Sequence, residues 1–205
     1  KKVLNIIEKF QTAGGEIYIV GGACRDLLLR RVVKDWDFTT NLLPDEMKKI
    51  FPKNSFYNNN FGTFSVVDKG GEIFEITTFR TERGYSDNRH PDEIKWGKSL
   101  EEDLERRDFT INAIAIEILN PPTLRVSSLK KGGSNSEKTR IIDLFGGQKD
   151  LERKLIRTVG NPDERFGEDA LRLLRAVRIA GQVGFEIEEK TLDSIKKNAS
   201  LIQNV

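Results

Sequence analysis

Between Glu16 and Thr40 the hydrophobic pattern changes period twice, and this switch constrains the fold more than any other stretch of the chain. EIYIV (16–20) reads as a strand, Gly21 and Gly22 open a turn, CRDLLLRR reads as a short helix, and VKDWDFTT (33–40) alternates with the period of two that marks a second strand. Other segments extend the pattern. Residues 3–13 place Val3, Ile6, Ile7 and Phe10 on one helical stripe closed by Gly14 and Gly15, and PDEMKKIF is a short helix with Pro44 in its first turn. FGTFSVVDKG and GEIFEITTFR form a hairpin across Lys69, Gly70 and Gly71. Ser99, with Glu102 three residues on, caps a helix that gives way to the strand of INAIAIEIL. From NPDERFGEDALRLLRAVRIAGQVGF onward the pattern is helical. The expectation is an α+β chain, with a mixed sheet flanked by helices over 1–154 and an all-helical second domain over 155–205.

Composition excludes several classes. The chain has 205 residues, of which 37% are hydrophobic with 12 Phe and 2 Trp, enough for an ordinary core. No apolar run approaches the roughly 18–20 residues that cross a bilayer, and KKVLNIIEKF has an amphipathic pattern without a cleavage site, so the expected location is cytoplasmic. Cys24 has no second cysteine to pair with, and His90 is the one histidine, which leaves no zinc site. The net charge is +2 although 32% of residues are charged, so any polyanion must be met by local clusters. The missing initiator Met, and an end at LIQNV just after a helical stretch, lead us to expect that a longer protein continues beyond residue 205. Two polar stretches lack periodicity: a long loop between Thr81 and Trp96, and an insertion over Pro121–Thr139.

Chemistry concentrates in two places within the first unit. Asp35 and Asp37 stand two apart, so on a strand both carboxylates emerge on one face while Trp36 and Phe38 face the core. Hard divalent cations take such oxygen ligands, and Mg²⁺ is the natural choice. Taken alone, the pair fits a solvated strand edge better than a metal site. Gly21 and Gly22 allow close backbone approach at a helix N-terminus, where free N–H groups suit a triphosphate, and Arg25, oriented by Asp26, adds a charged partner. An ordinary tight turn is the alternative. Neither GxGxxG nor GxxxxGK[ST] is present. Glu75, in FEITTFR, is a candidate third carboxylate for the same cleft, as a ligand or as a base for an attacking hydroxyl, and Arg80 and Arg83 are candidate phosphate contacts.

Together, GGACRDLLLRRVVKDWDF resembles the signature of the polymerase-beta-like nucleotidyltransferases, in the class II branch of tRNA CCA-adding enzymes and bacterial poly(A) polymerases. ERRDFTINAIA is similar to that family's RRDxTxNA motif, which implies that Arg107 and Asp108 contact the ribose and triphosphate of the incoming nucleotide. IIDLFGGQKDLERKLIRTVGNP resembles the block that hinges a catalytic head to a helical neck. GEDALRLLRAVR resembles the base-reading EDxxRxxR motif, and so implies Asp169 and Arg172 as base-choosing residues supported by Arg175 and Arg178. On a helix these four step round at three-residue spacing, and a carboxylate beside a guanidinium matches the amino bases cytosine and adenine. The opposite stripe of Ala170, Leu173, Leu174, Val177 and Ala180 fits an ordinary amphipathic helix as well. The resemblance implies Mg²⁺-dependent addition of CMP or AMP from CTP or ATP to the tRNA 3′ end. The expected catalytic set is therefore Asp35 and Asp37 with Glu75 added from its strand position, the expected metal ligands are Asp35 and Asp37, and the expected nucleotide sites are Gly21, Gly22, Arg25, Arg107, Asp108, Asp169, Arg172, Arg175 and Arg178. It further implies that the loop from Thr81 to Trp96 moves as C addition gives way to A addition, and that RNA-gripping domains follow residue 205. Oligomeric state is not readable. Open alternatives are an A-only or CC-only enzyme, a poly(A) polymerase, a small-molecule nucleotidyltransferase, and a non-catalytic RNA-binding module.

Overall fold

The computed structural model describes residues 1–58, 63–85, 93–97, 99–119 and 138–204. The chain opens with helix α1 (Lys2–Thr12), which buries Ile6, Ile7 and Phe10 on one face. Strand β1 (Ile17–Val20) has all four residues buried, as an unbroken apolar run at the centre of a sheet should. It runs straight into α2 (Gly21–Leu28), followed by β2 (Asp37–Thr40). In α3 (Pro44–Ile50) the proline sits in the first turn, where its missing N–H costs nothing, and the Glu46 carboxylate accepts from the Leu43 N–H at 2.8 Å. Strands β3 (Ser55–Asn58), β4 (Thr63–Val67) and β5 (Ile73–Thr78) come next, then β6 (Arg80–Arg83) and β7 (Glu93–Trp96). Helix α4 (Leu100–Glu105) starts at Ser99, whose hydroxyl accepts from the Glu102 N–H. A 3₁₀ turn over Thr110–Asn112 leads into β8 (Ile114–Leu119), and β9 (Lys138–Asp143) precedes α5 (Gly147–Arg153). The remainder is β10 (Leu155–Ile156), α6 (Pro162–Glu168), α7 (Leu171–Val183), β11 (Glu186–Ile187) and α8 (Glu189–Asn198).

Seven strands form one mixed sheet in the order β3-β4-β5-β2-β1-β8-β9. Only the β2–β5 neighbours run parallel; the other pairs are antiparallel. On one face, Ile17, Ile19, Phe38 and Ile76 join the main core with Ile7, Phe10, Ala23 and Met47 of the helices. On the other, Tyr18, Val20 and Ala115 pack with Phe79, Leu100 and Leu104. The α+β architecture expected from the hydrophobic pattern is the one found. No helix among the described residues is long and apolar enough to cross a membrane.

Several local expectations differ. The second strand begins at Asp37 rather than Val33, so Asp35 and Trp36 lie in the irregular approach to β2; Trp36 nevertheless packs against the main core. The loop expected between Thr81 and Trp96 is framed by a two-stranded antiparallel ribbon, β6 with β7, pairing Arg80 with Trp96 and Arg83 with Glu93. Its backbone ladder needs no apolar alternation, and so left no period to read. Residues 86–92 of that loop and 121–137 of the expected insertion lie outside the described residues, and Lys138 and Thr139 already belong to β9. The all-helical segment after residue 155 contains one short parallel pair, β10 with β11. The main core is not interrupted there, since it continues through Ile156 to Phe166, Leu173, Ala176 and Ile179.

Candidate nucleotide and metal site

The single parallel pair of the sheet builds the acidic corner. In its register Asp37 lies beside Glu75 and Phe38 beside Ile76. Because neighbours in register share a face, burying Phe38 and Ile76 in the main core sends both carboxylates out on the opposite side. Glu75 is exposed and Asp37 half-buried; Asp35, two residues earlier, is exposed. Burial, reinforced by the negative charges of Glu75 and Asp35, pushes the Asp37 carboxyl up to about 6, although Arg107 and Arg175 pull the other way. A site that holds a carboxylate so reluctantly is one that a cation relieves. Among the described residues no three His, Cys, Asp or Glu side chains converge into a ready-made metal cage. The paired carboxylates could hold a divalent cation, with water and phosphate oxygens filling its remaining positions.

Glycine is required where β1 meets α2. Gly21 has a φ of +68°, and a Cβ there would lie 3.3 Å from both Asp37 Oδ2 and Arg107 Nη1. The first turn of α2 has no acidic residue and no side-chain cap, leaving its N–H groups open. At Gly22 a Cβ would only touch the Arg25 guanidinium, at 3.4 Å. Arg25 donates from Nε to Asp26 at 2.9 Å and from Nη1 to Asn112 Oδ1 at 3.1 Å, so Asp26 does orient it.

Behind this corner stands a framework of buried ion pairs. Asp103 is fully buried on α4 and receives Arg106 at 2.7 Å and Arg107 at 2.9 Å. Burial opposes its charge, but the two guanidinium groups outweigh it and hold the carboxyl down at about 2. Arg107 thereby presents Nη1 to the Gly21–Asp37 corner, while its buried Nε has no partner among the described residues. Asp108, expected among the nucleotide contacts, is enclosed instead. One oxygen accepts from Asn112 at 3.1 Å and the Phe109 N–H at 2.8 Å, and the other takes Arg175 through Nε at 2.8 Å and Nη2 at 2.6 Å. A continuous chain of polar contacts therefore runs from Asp26 through Arg25, Asn112 and Asp108 to Arg175 on α7.

The base-reading candidates are arranged differently from a single helical row. Asp169 precedes α7 in an extended conformation, with Oδ1 accepting from the Leu171 N–H at 2.9 Å. Arg172 does lie beside it, 4.0 Å from Nε to carboxylate, but is only 6% exposed. Its guanidinium donates to Glu168 and to the carbonyls of Arg165 and Arg106. Drawing Arg172 inward rotates the helix, so the buried face is Leu173, Ala176, Ile179 and Val183, and the expected apolar positions Leu174 and Val177 are 50% and 57% exposed. Arg175 is partly exposed over the corner and Arg178 is exposed. Arg80 and Arg83, read as phosphate contacts, fall in ribbon strand β6.

A cleft of about 520 Å³ brings together Gly22, Arg25, Asp26, Asp35 and Asp37 with Arg31, Lys34 and the end of α7 at Gln182, while Glu75, Arg107, Asp169, Arg172, Arg175 and Arg178 are not among its lining residues. A larger groove of about 680 Å³ between α1 and α3 shares no residue with it. Sequence reasoning missed Asp103, Asn112 and Gln182. Asn112 lies inside the TINA stretch, and Gln182 is two helical turns beyond Arg175; Asp103 was masked by its acidic neighbours in EEDLE.

Residues 17–157 match the family model described as the poly A polymerase head domain. Over 205 residues the chain is 46% identical to the CCA-adding enzyme of Ligilactobacillus salivarius (strain UCC118) and spans all of this chain but 46% of that one. It is 44% identical to the CCA-adding enzyme of Geobacillus kaustophilus (strain HTA426), again over 46% of that protein. Among solved structures it is similar to the Bacillus stearothermophilus CCA-adding enzyme in complex with CTP, with a TM-score of 0.80 and 40% identity over 99% of this chain and 44% of the other. The Thermotoga maritima CCA-adding enzyme complexed with tRNA superposes with a TM-score of 0.73 at 28% identity, over 100% of this chain and 43% of the other. The chain thus spans a little under half the length of the relatives it matches. With a family model covering most of its residues and relatives this similar along all of it, the chain belongs to the poly A polymerase head domain family.

Proposed function

We propose that this chain carries the catalytic site of a cytoplasmic enzyme that adds CMP and AMP, from CTP and ATP, to the 3′ end of tRNA. The observation that carries the reading is the corner where Asp37 meets Glu75 in register and lies, with Arg107, against Gly21 at the start of α2, beside a cleft that Asp35 and Asp37 line. The similar proteins are named as CCA-adding enzymes, and solved relatives hold CTP, ATP or tRNA. Asp35 and Asp37 would hold Mg²⁺, which supplies charge neutralisation at the phosphoryl oxygens and lowers the pKa of the attacking hydroxyl. The open N–H groups of α2, with Arg25 and Arg107, bind the triphosphate. The RNA 3′ oxygen forms a bond to the α-phosphorus, the bond to the bridging oxygen breaks, and pyrophosphate leaves. Glu75, exposed beside Asp37, takes the hydroxyl proton. Asp169 and Arg172 choose the base, with Arg175 and Arg178 beside them, and Asp108 acts by holding Arg175 in place. Residues 1–154 serve as the catalytic head and 155–205 as the start of a neck.

The test is incorporation of each single radiolabelled nucleoside triphosphate, with Mg²⁺, on tRNAs ending at the discriminator base, at C and at CC, beside an Asp35→Ala, Asp37→Ala double variant. Ordered addition of C, C and A that vanishes in the variant supports the reading. Addition of A alone to the CC-ended tRNA narrows it to an A-adding enzyme, and long A tails point to a poly(A) polymerase. Full activity in the variant overturns it.

A further inference from the structure

One turn beside the cleft is not used by the reaction as described. Helix α2 ends with Arg30 N–H donating to the Leu27 carbonyl at 3.0 Å and Arg31 N–H to that of Asp26 at 2.8 Å, a C-terminal closure that places Arg30 in the left-handed region with a φ of 55°. Glycine is the residue that takes this conformation without steric cost, yet the chain has arginine. The next residues form a lip. The Arg31 guanidinium is strapped to the Gln182 carbonyl at 3.2 Å, Val32 is 85% exposed, and Lys34 lines the cleft next to Asp35. The side chains of Arg30 and Lys34 have no hydrogen-bond or ion-pair partner among the described residues. Strain retained at Arg30, one residue from the cleft lining, points to a use for the side chain held there.

We propose that the Arg30–Lys34 lip receives the phosphate backbone of the RNA 3′ end; this rests on the nucleotidyltransferase reading above. Two observations favour RNA over the triphosphate. Triphosphate donors are already supplied by Arg25 and the start of α2 in the cleft and by Arg107 beside Gly21, whereas Val32 lines the cleft yet is 85% exposed, and Arg30, two residues before it, is exposed as well. Val32 and Lys34 lead along the chain to the exposed Asp35, where the reading above puts the attacking 3′-hydroxyl. The cleft is also a poor attractor of RNA by itself: Arg25, Arg31 and Lys34 are matched by Asp26, Asp35 and Asp37, and Arg25 is already paired to Asp26 at 2.9 Å. Arg30, exposed and next in sequence to the lining residue Arg31, adds a positive charge beside the cleft, and Val32 between the cations offers an apolar contact to a sugar or base.

The experiment compares wild type with Arg30→Gly and with Lys154→Gly. Lys154 is a matched control, since it too is a cation closing a helix in the left-handed region, with a φ of 58° at the end of α5, and so shares any favourable interaction with a helix C-terminus. Binding of an RNA minihelix ending in CC is measured over a salt series without nucleotide, and KM for the minihelix and for ATP is measured separately. Arg30→Gly is expected to weaken minihelix binding roughly 3–10-fold and to lower the slope of log affinity against log salt by about 0.7, the value for one phosphate contact on a single strand. It should leave the KM for ATP within about twofold and the melting temperature unchanged or raised. Lys154→Gly should leave RNA binding at the wild-type value. An unchanged minihelix affinity and slope in Arg30→Gly overturns the proposal, and so does a change confined to the KM for ATP, which would assign the lip to the triphosphate. If wild type incorporates no nucleotide on any RNA, the catalytic reading fails instead, and the binding series still decides the lip.

Discussion

Asp37 and Asp103 are two buried or half-buried aspartates facing the same arginine, yet their environments push them in opposite directions. Asp103 accepts from two guanidinium groups and is held at about 2. Asp37 sits among other carboxylates, buried enough to be pushed up to about 6. One is scaffold, with its charge matched by two arginines at hydrogen-bond distance; the other has no such direct partner among the described residues and, on the function proposed above, is held for a divalent cation. Functional sites are where such unmatched charge is retained, at a cost in stability.

The sharpest way to break this contrast is Asp37→Asn. Activity should fall by about 10³-fold or more, as expected when several kcal/mol of charge stabilisation is lost, while the fold gains about 1–2 kcal/mol at pH 7. The sign follows from the raised pKa. The folded state binds the Asp37 proton more tightly than the unfolded one, so ionising Asp37 costs stability as pH rises from about 4 through about 6, and the variant's advantage should appear across that window in urea unfolding. The mirror experiment is Asp103→Asn, which leaves Arg106 and Arg107 without their buried acceptor and should cost about 2–4 kcal/mol. Here the lowered pKa means that wild-type stability is present above about pH 4 and lost as pH falls toward about 2, so wild type and variant should converge in acid.

Gly21→Ala tests how tightly the two aspartates' neighbourhoods meet. It combines a positive φ with crowding of Asp37 and Arg107, and is expected to cost about 1–2 kcal/mol and more than tenfold in activity. Gly71→Ala, with a φ of +81° and no atom near its Cβ, has the same backbone cost without the crowding and should leave activity intact. The smallest effect is expected from Arg175→Lys. It keeps the charge but loses the two-point grip on Asp108, and should raise the KM for nucleotide by about threefold with little change in melting temperature.

Much of this arrangement was legible because it is local. Alternation in DWDFTT put Asp37 opposite Phe38, and the strand FEITTFR put Glu75 on a matching face; the β2–β5 register then places them side by side. What escaped reading depends on tertiary context. Arg172 is the clearest case, since an arginine in an amphipathic helix is ordinarily assigned to the surface, and only the carbonyls of Arg165 and Arg106 explain why it lies inside and why Leu174 and Val177 do not. The β6–β7 ribbon has no apolar alternation, and β3 and β9, at the sheet's edges, are short or border stretches of loop-like composition. The Asp103 pairs were hidden among charges whose partners a sequence does not disclose.

The parallel pairing of β2 with β5 has a further consequence, for the order of assembly. Neighbouring parallel strands cannot be joined by a tight turn, so Asp37 and Glu75 meet only after α3 and the β3–β4 hairpin between them have been laid down and the long loop closed. Such non-local contacts come late in folding. In refolding experiments, return of nucleotide transfer should therefore lag behind return of helical signal, making activity a sensitive report that the whole sheet has closed.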